Sequence, residues 1–243
     1  MASVTLFCLP YAGAGAAVYR DWQGRLPGWI KLVPLHLPGR GVRYGQPAVT
    51  QWPALMDLLV SDMRPHLASP FAIFGHSMGA LIGYELAHTL RDRLRCQPVW
   101  LGASACTAPS RREIDLKWLS CSESELIEEL QSLQGTPPEL LENRELMDLV
   151  LPVVRADFHL CGSYRPERRP PLTCPMLVLG GTEDELSQEP LNLRAWSKET
   201  SAAFRLEMFD GDHFFIHSHQ NAVLDVIAGS LATVVPQAAT IDA

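Results

Sequence analysis

Short apolar runs alternate along this chain with longer segments whose apolar positions recur at helical spacing. Val4–Leu9, Trp29–Leu37, Phe71–Phe74, Pro98–Ser104, Pro175–Gly180 and Phe204–Phe209 have the length and the aromatic and β-branched content of buried strands. Pro34 interrupts the second run, and "LPGR", Leu37 to Arg40, closes it. The segment Trp52–His66 reads as a helix. So does the stretch from Met78, where Met78, Leu81, Ile82, Leu86 and Leu90 share one face. Phe215–Val235 reads as a terminal amphipathic helix. Strands alternating with helices predict an α/β fold with a mostly parallel central sheet flanked by helices. No internal repeat is visible, and residues 236–243 are expected to form a disordered tail.

One block breaks the alternation. Between the strands ending at Ser104 and starting at Pro175, Ser122-Glu123-Ser124-Glu125 is a capping box that opens a helix through Leu133. Turn residues follow at Gly135–Pro138, then a helical run that Pro152 is expected to break. About sixty residues of helix are too long for a plain crossover. They are either extra packing at the sheet edge or a lid over a site.

The chain has 243 residues, enough for a single domain with one sizeable core. With 47% apolar and 19% charged residues it is globular, and a net charge of −7 argues against nucleic acid as the main partner. The six cysteines (Cys8, Cys96, Cys106, Cys121, Cys161 and Cys174) form no C-x-x-C pair and read as reduced thiols. The first residues lack the basic start of a signal peptide, and no apolar run is long enough to span a bilayer. A cytoplasmic protein is expected.

The chemistry begins where the strand ending at Phe74 meets the helix starting at Met78. Gly75-His76-Ser77-Met78-Gly79 is the G-x-S-x-G nucleophile elbow of α/β hydrolases, with Ser77 at the apex of a tight strand-to-helix turn. Glycines stand where side chains would obstruct the turn. A serine hydroxyl needs a base and a place for oxyanion charge. In this fold the chain order is serine, acid, histidine. The acid is expected after "PMLVLG", where Asp184 is the choice and spacing leaves Glu183 and Glu185 open. The base is expected at His213, in "FDGDHFF". His213 and His217 have the i, i+4 spacing of metal ligands, but no H-E-x-x-H glutamate accompanies them, so a metal site is not expected. Asp212 is too close to His213 in sequence to orient it. Oxyanion amides are expected at Met78 and, in the loop "LPYAGAG", at Ala12. G-x-G at Gly13 and Gly15 is too weak to indicate a dinucleotide, and the loop lacks the Walker ending.

Taken together, "LPYAGAG", "LPGRGVR", "GHSMGA", "QGTPPELL", "LPVVRADF", "LGGTEDELS" and "GDHFF" resemble, in order and spacing, the bacterial type II thioesterases. These are the stand-alone editing enzymes of polyketide and nonribosomal peptide synthetases. The resemblance runs from about Val4 to Val235. It implies an α/β-hydrolase fold with Ser77 as nucleophile, Asp184 as acid, His213 as base, oxyanion amides at Ala12 and Met78, and a helical lid over about 109–165. It further implies hydrolysis of acyl thioesters carried on the phosphopantetheine arm of an acyl- or peptidyl-carrier protein, with no cofactor of the enzyme's own. Two departures stand out: the loop reads Ala-Gly-Ala-Gly where a double glycine is commoner, and Glu185 stands where proline is frequent.

The rival readings are a small-molecule carboxylesterase, a fatty-acid-synthase thioesterase and a non-catalytic binding module. Substrate-binding residues are not assigned, and a monomer is the default expectation. Of the apolar lid residues Leu126, Leu130, Leu133, Leu140, Leu146, Leu149, Val150 and Phe158, some are expected to line an acyl chamber.

Overall fold

Six parallel strands form one sheet in the order β2-β1-β3-β4-β5-β6. The computed structural model describes residues 3–133, 141–185 and 190–235. The turn expected at Gly135–Pro138, Leu140 and the tail from 236 lie outside them. In chain order the strands and α-helices are β1 (Val4–Leu9), β2 (Ile30–Pro34), α1 (Trp52–Met63), β3 (Phe71–His76), α2 (Met78–Leu94), β4 (Trp100–Ser104), α3 (Lys117–Ser120), α4 (Glu123–Ser132), α5 (Arg144–Ser163), β5 (Met176–Gly181), α6 (Pro190–Arg194), β6 (Phe204–Phe209), α7 (Phe215–Ser218) and α8 (Gln220–Ala232).

The central strands are buried on both faces, as expected of a parallel sheet covered by helices. Alternate residues point to opposite layers. Phe7, Ile73, Leu101 and Val178 join α1 and α2 through Leu59, Leu81 and Leu86. Leu6, Phe74, Trp100, Leu177 and Leu179 join α8 through Val223, Leu224, Ile227 and Leu231. The outermost strand β6 is only half-buried and carries the exposed pair Arg205–Glu207, which suits an edge.

The insertion between β4 and β5 builds a third, smaller core from Cys121, Leu126, Leu130, Met147, Leu151, Val154 and Phe158. Ala12, in the loop after β1, packs against both this cluster and the sheet core. The capping box forms as expected: the Ser122 N–H donates to the Glu125 carboxylate at 2.7 Å and the Glu125 N–H to Ser122 Oγ at 3.2 Å.

Several expectations need correction. Pro152 does not break its helix; α5 runs through it. A proline inside a helix costs about 3 kcal/mol. Here its ring lies on the exposed face, while Leu151, Val153 and Val154 are buried on the other side. The terminal helix is divided at His219, which leaves helical backbone at φ −109° and ψ 27°. β2 stops at Pro34, which cannot donate to the ladder. β3 runs two residues beyond Phe74, so His76 is still paired with Ser104.

This topology creates the crevice. The sheet extends one way from β1 to β2 and the other way from β3 to β4. The loops after β1 and β3 therefore diverge at the carboxyl ends of the strands, where open α/β sheets bind ligands.

Candidate active site

Ser77 has φ 54° and ψ −120°, a backbone conformation that L-residues rarely adopt. The strain is held in place by its neighbours. The Ser77 N–H donates to Ser104 O at 2.7 Å and the Ala80 N–H to Ser77 O at 2.9 Å. A Cβ on Gly75 would lie 2.0 Å from Gly79 O, and one on Gly79 would lie 2.1 Å from Leu9 O. The backbone crossing leaves room for neither.

His213 follows β6, and its Nδ1 lies 3.1 Å from Asp184 Oδ1. Both side chains are buried. Among the described residues the His213 Nδ1 makes no aligned hydrogen bond, so this is a close contact. Glu183 and Glu185, which spacing left open, are exposed on either side of buried Asp184. Asp212 instead accepts from the Phe214 N–H at 2.8 Å and braces the turn. His217 meets the Tyr11 hydroxyl at 3.1 Å, and His219 packs toward the Phe209 ring. Among the described residues, no group of three or more His, Cys, Asp or Glu is placed to hold a metal ion.

The sequence reading missed His76. It is fully buried, with Nε2 2.9 Å from His213 O and Nδ1 2.8 Å from Ser104 Oγ. A carbonyl only accepts, so Nε2 carries the proton and the Ser104 hydroxyl donates to Nδ1. Burial, followed by the nearby His213 charge, pushes the His76 pKa well down. His76 thus stays neutral and ties the loop of His213 to the elbow and to β4. Its sequence signal was weak, because the second position of the elbow motif is open to any residue.

Ser77 and His213 line one cavity of about 370 Å³ together with Ala12 and Met78. Among the described residues, neither the Ala12 nor the Met78 amide donates to a protein acceptor. The Met78 N–H opens α2, where helix polarity favours negative charge. Leu130, Leu133, Trp118 and Phe158 of the insertion supply the apolar wall. Leu126 is buried within the insertion's own core, and Val150 packs partly against it. Leu146 and Leu149 face outward and line nothing. Arg112 also reaches the cavity, and its Nε is buried without a hydrogen-bond acceptor among the described residues.

Such a site can activate a serine, hold an oxyanion and enclose an apolar acyl group. A parallel sheet with an elbow after β3, a carboxylate after β5 and a histidine after β6 has the architecture of the α/β hydrolases. Within that class the chain belongs to the Thioesterase domain family, whose profile matches residues 4–231, and it is a hydrolase that cleaves thioesters. Among curated relatives, linear gramicidin dehydrogenase LgrE of Brevibacillus parabrevis is 40% identical over 233 residues, covering 95% of this chain and 88% of its own. Among solved structures, ClbQ from the colibactin NRPS/PKS pathway superposes with a TM-score of 0.90 at 31% identity, covering 96% of this chain and 98% of its own. BorB, a type II thioesterase from the borrelidin biosynthetic cluster, gives a TM-score of 0.85 at 33% identity, covering 93% and 92%. No helix among the described residues is long and apolar enough to cross a membrane.

Proposed function

We propose that this protein is a type II thioesterase, which clears stalled or misprimed acyl groups from the phosphopantetheine arms of carrier proteins in a polyketide or nonribosomal peptide synthetase. The observation that carries the reading is the convergence of Ser77, the His213–Asp184 pair and two open amides on one partly apolar cavity. ClbQ, from an NRPS/PKS pathway, and BorB, a type II thioesterase, each cover nearly the whole chain and support the same class of partner.

In the proposed reaction, His213 takes the Ser77 proton as Oγ attacks the thioester carbonyl. The oxyanion rests on the Ala12 and Met78 amides, and Asp184 stabilises the imidazolium. The C–S bond breaks, and the pantetheine thiol leaves with the proton from His213. Water, deprotonated by His213, then attacks the acyl-enzyme; the acid departs and Ser77 recovers its proton. The insertion acts as a lid whose Leu130, Leu133 and Phe158 meet the acyl chain.

The name of LgrE raises a redox reading. The glycine loop gives it no support. The Gly13 amide, which would face a dinucleotide phosphate, is occupied by the Asp157 carboxylate at 2.8 Å.

Purified protein should release acyl groups from several acylated carrier domains faster than it cleaves matched oxygen esters. Ser77→Ala should remain folded and lose turnover by about 10⁶-fold, as nucleophile removal does in a well-studied serine protease. Near-normal turnover in Ser77→Ala would overturn the mechanism, and preference for oxygen esters would favour a carboxylesterase.

A further inference from the structure

Three sequence motifs, two of them without an assigned chemical role, meet at one point. Arg40 of "LPGR" and Asp157 of "LPVVRADF" form a two-pronged ion pair, with Nη1 2.5 Å from Oδ2 and Nη2 2.7 Å from Oδ1. Their side chains are only 10% and 2% exposed. The third motif is the glycine loop: the Gly13 N–H donates to Asp157 Oδ2 at 2.8 Å. The same guanidinium donates from Nη1 to Ala14 O at 3.1 Å and from Nε to Pro38 O at 3.3 Å. The pair therefore grips the loop at its amide side and its carbonyl side.

The glycines explain how α5 comes close enough. Gly13 has φ +78°, and a Cβ there would lie 3.1 Å from Val154 Cγ2. Gly39 has φ +83°, and a Cβ there would lie 3.2 Å from Val153 Cγ2. Both positions are strained for any other residue, and both face the turn of α5 that precedes Asp157. The Ala14 N–H closes a turn onto Tyr11 O at 3.1 Å, with Ala12 and Gly13 at its centre. A positive φ at the third residue is the signature of a type II turn. Fixing Gly13 therefore fixes the turn, whose closing bond holds Tyr11 O and with it the Tyr11–Ala12 peptide that carries the Ala12 N–H; Ala12 itself lines the cavity of Ser77.

We propose that Arg40 and Asp157 are positioning residues for the oxyanion loop, making the orientation of the Ala12 amide depend on the seating of α5. The proposal rests on the reading of Ser77 and Ala12 given above. Burying two charges needs a compensating arrangement, and an ion pair of this kind is weak evidence of a stabilising role alone. What it does supply is fixed direction, because a forked guanidinium and a carboxylate accept one planar alignment. Oxyanion donors act through such direction, and one misplaced by about 1 Å loses on the order of 100-fold.

The test compares Asp157→Asn and Arg40→Lys with the wild type. The probes are S-butyryl-N-acetylcysteamine as substrate, butylboronic acid as a tetrahedral adduct of Ser77, and the uncleavable S-butyl thioether as a ground-state mimic. Active sites are counted by fluorophosphonate labelling. Asp157→Asn should lower kcat per active site by about 10- to 100-fold with KM changed by less than about twofold. Boronate affinity should fall by a matching factor while thioether affinity holds. Arg40→Lys keeps the charge without the fork and should show the same split more weakly; it also decides the question if Asp157→Asn does not fold. A lowered Tm with unchanged kcat and boronate affinity per active site would make the pair merely structural and overturn the proposal. Wild-type protein inert toward the thioester and the fluorophosphonate would overturn the functional reading and the positioning role with it.

Discussion

The two walls of the active-site crevice are held by different kinds of interaction. On the sheet side, the elbow is fixed by backbone: a strained Ser77, two glycines pressed against carbonyl oxygens, and the neutral relay Ser104–His76–His213. On the insertion side, α3, α4 and α5 share a small core of their own, leave Leu116, Leu119, Leu146 and Leu149 exposed, and meet the loop after β1 through a buried ion pair and the packing of Ala12. Backbone crossings tolerate almost no variation, whereas a small side-chain core accepts many packings. The sheet side thus has the rigidity that reacting atoms need, and the insertion side has the latitude to vary what it encloses.

The largest effect should come from the rigid side. Asp184→Asn should lower kcat by about 10⁴-fold, because asparagine does not stabilise the imidazolium on His213 and favours the wrong tautomer. Glu183→Gln and Glu185→Gln, exposed and turned away, should stay within about threefold of the wild type by the same reasoning. Steady-state kinetics on one acyl thioester separates them. Equal losses at all three positions would mean that the rigid wall does not single out its acid.

The same contrast governs what could be read from sequence. All six strands stood out as short runs, the buried parallel ones by a continuous apolar signature and half-buried β6 by alternation of Phe204 and Leu206 with Arg205 and Glu207. The residues placed at the site as Ser77, Asp184 and His213 were legible because an elbow needs glycines and fixes the chain order. His76 was not, because its role depends on two hydrogen bonds to residues far along the chain. Pro152 misled because local propensity argued for a break, while Leu151 and Val154 of the insertion core hold the helix together. "LPGR" and "RADF" were recognisable as motifs, yet nothing in their spacing joins Arg40 to Asp157.

A smaller effect tests whether the neutral relay contributes to the sheet side. Ser104→Ala removes the hydroxyl that donates to His76 Nδ1 and leaves that buried nitrogen without a partner. Leaving one such group unsatisfied costs about 1–3 kcal/mol, which loosens the carbonyl anchor of His213. The expected loss in kcat is about 10-fold, with KM nearly unchanged. Ser104→Cys, which keeps a weak donor, should recover part of it. A loss of Tm alone, with kcat intact, would reduce the relay to packing.

On the insertion side the expected change is in selectivity. Leu133→Ala and Phe158→Leu enlarge the cavity at residues that line it, and Leu149→Ala, on the exposed face of α5, is the control. The ratio of kcat/KM for octanoyl over acetyl thioesters should shift by about three- to tenfold in the first two, since each methylene newly accommodated is worth about 0.8 kcal/mol. It should hold in the control. A constant ratio across all stable variants would mean that this wall covers the site without choosing its occupant.

The smallest effect on turnover, and one on stability, comes from a flaw in the rigid half. His88 on α2 is fully buried, its ring 4.5 Å from that of Tyr84, and neither nitrogen has a hydrogen-bond partner among the described residues. Burial, with Arg169 and Arg91 adding repulsion, lowers its pKa to about 3. Unfolded histidine titrates near 6.5, so between these values the unfolded chain binds the extra proton. His88 therefore leaves stability untouched well above pH 6.5 and removes about 1.4 kcal/mol per pH unit as pH falls below it. His88→Met fills similar space without a titrating group. Its advantage over the wild type should be about 1 kcal/mol at pH 8, from the unsatisfied nitrogens alone, and should grow by about 2 kcal/mol on going to pH 5. Turnover at pH 8 should not change, since His88 lies away from the cavity. Because His76 titrates equally in both proteins, it cancels from the difference. Urea melts at the two pH values measure the two gaps. If the gaps are equal, His88 is not neutral in the folded protein, and the sheet side holds a charge that its packing gives no sign of accommodating.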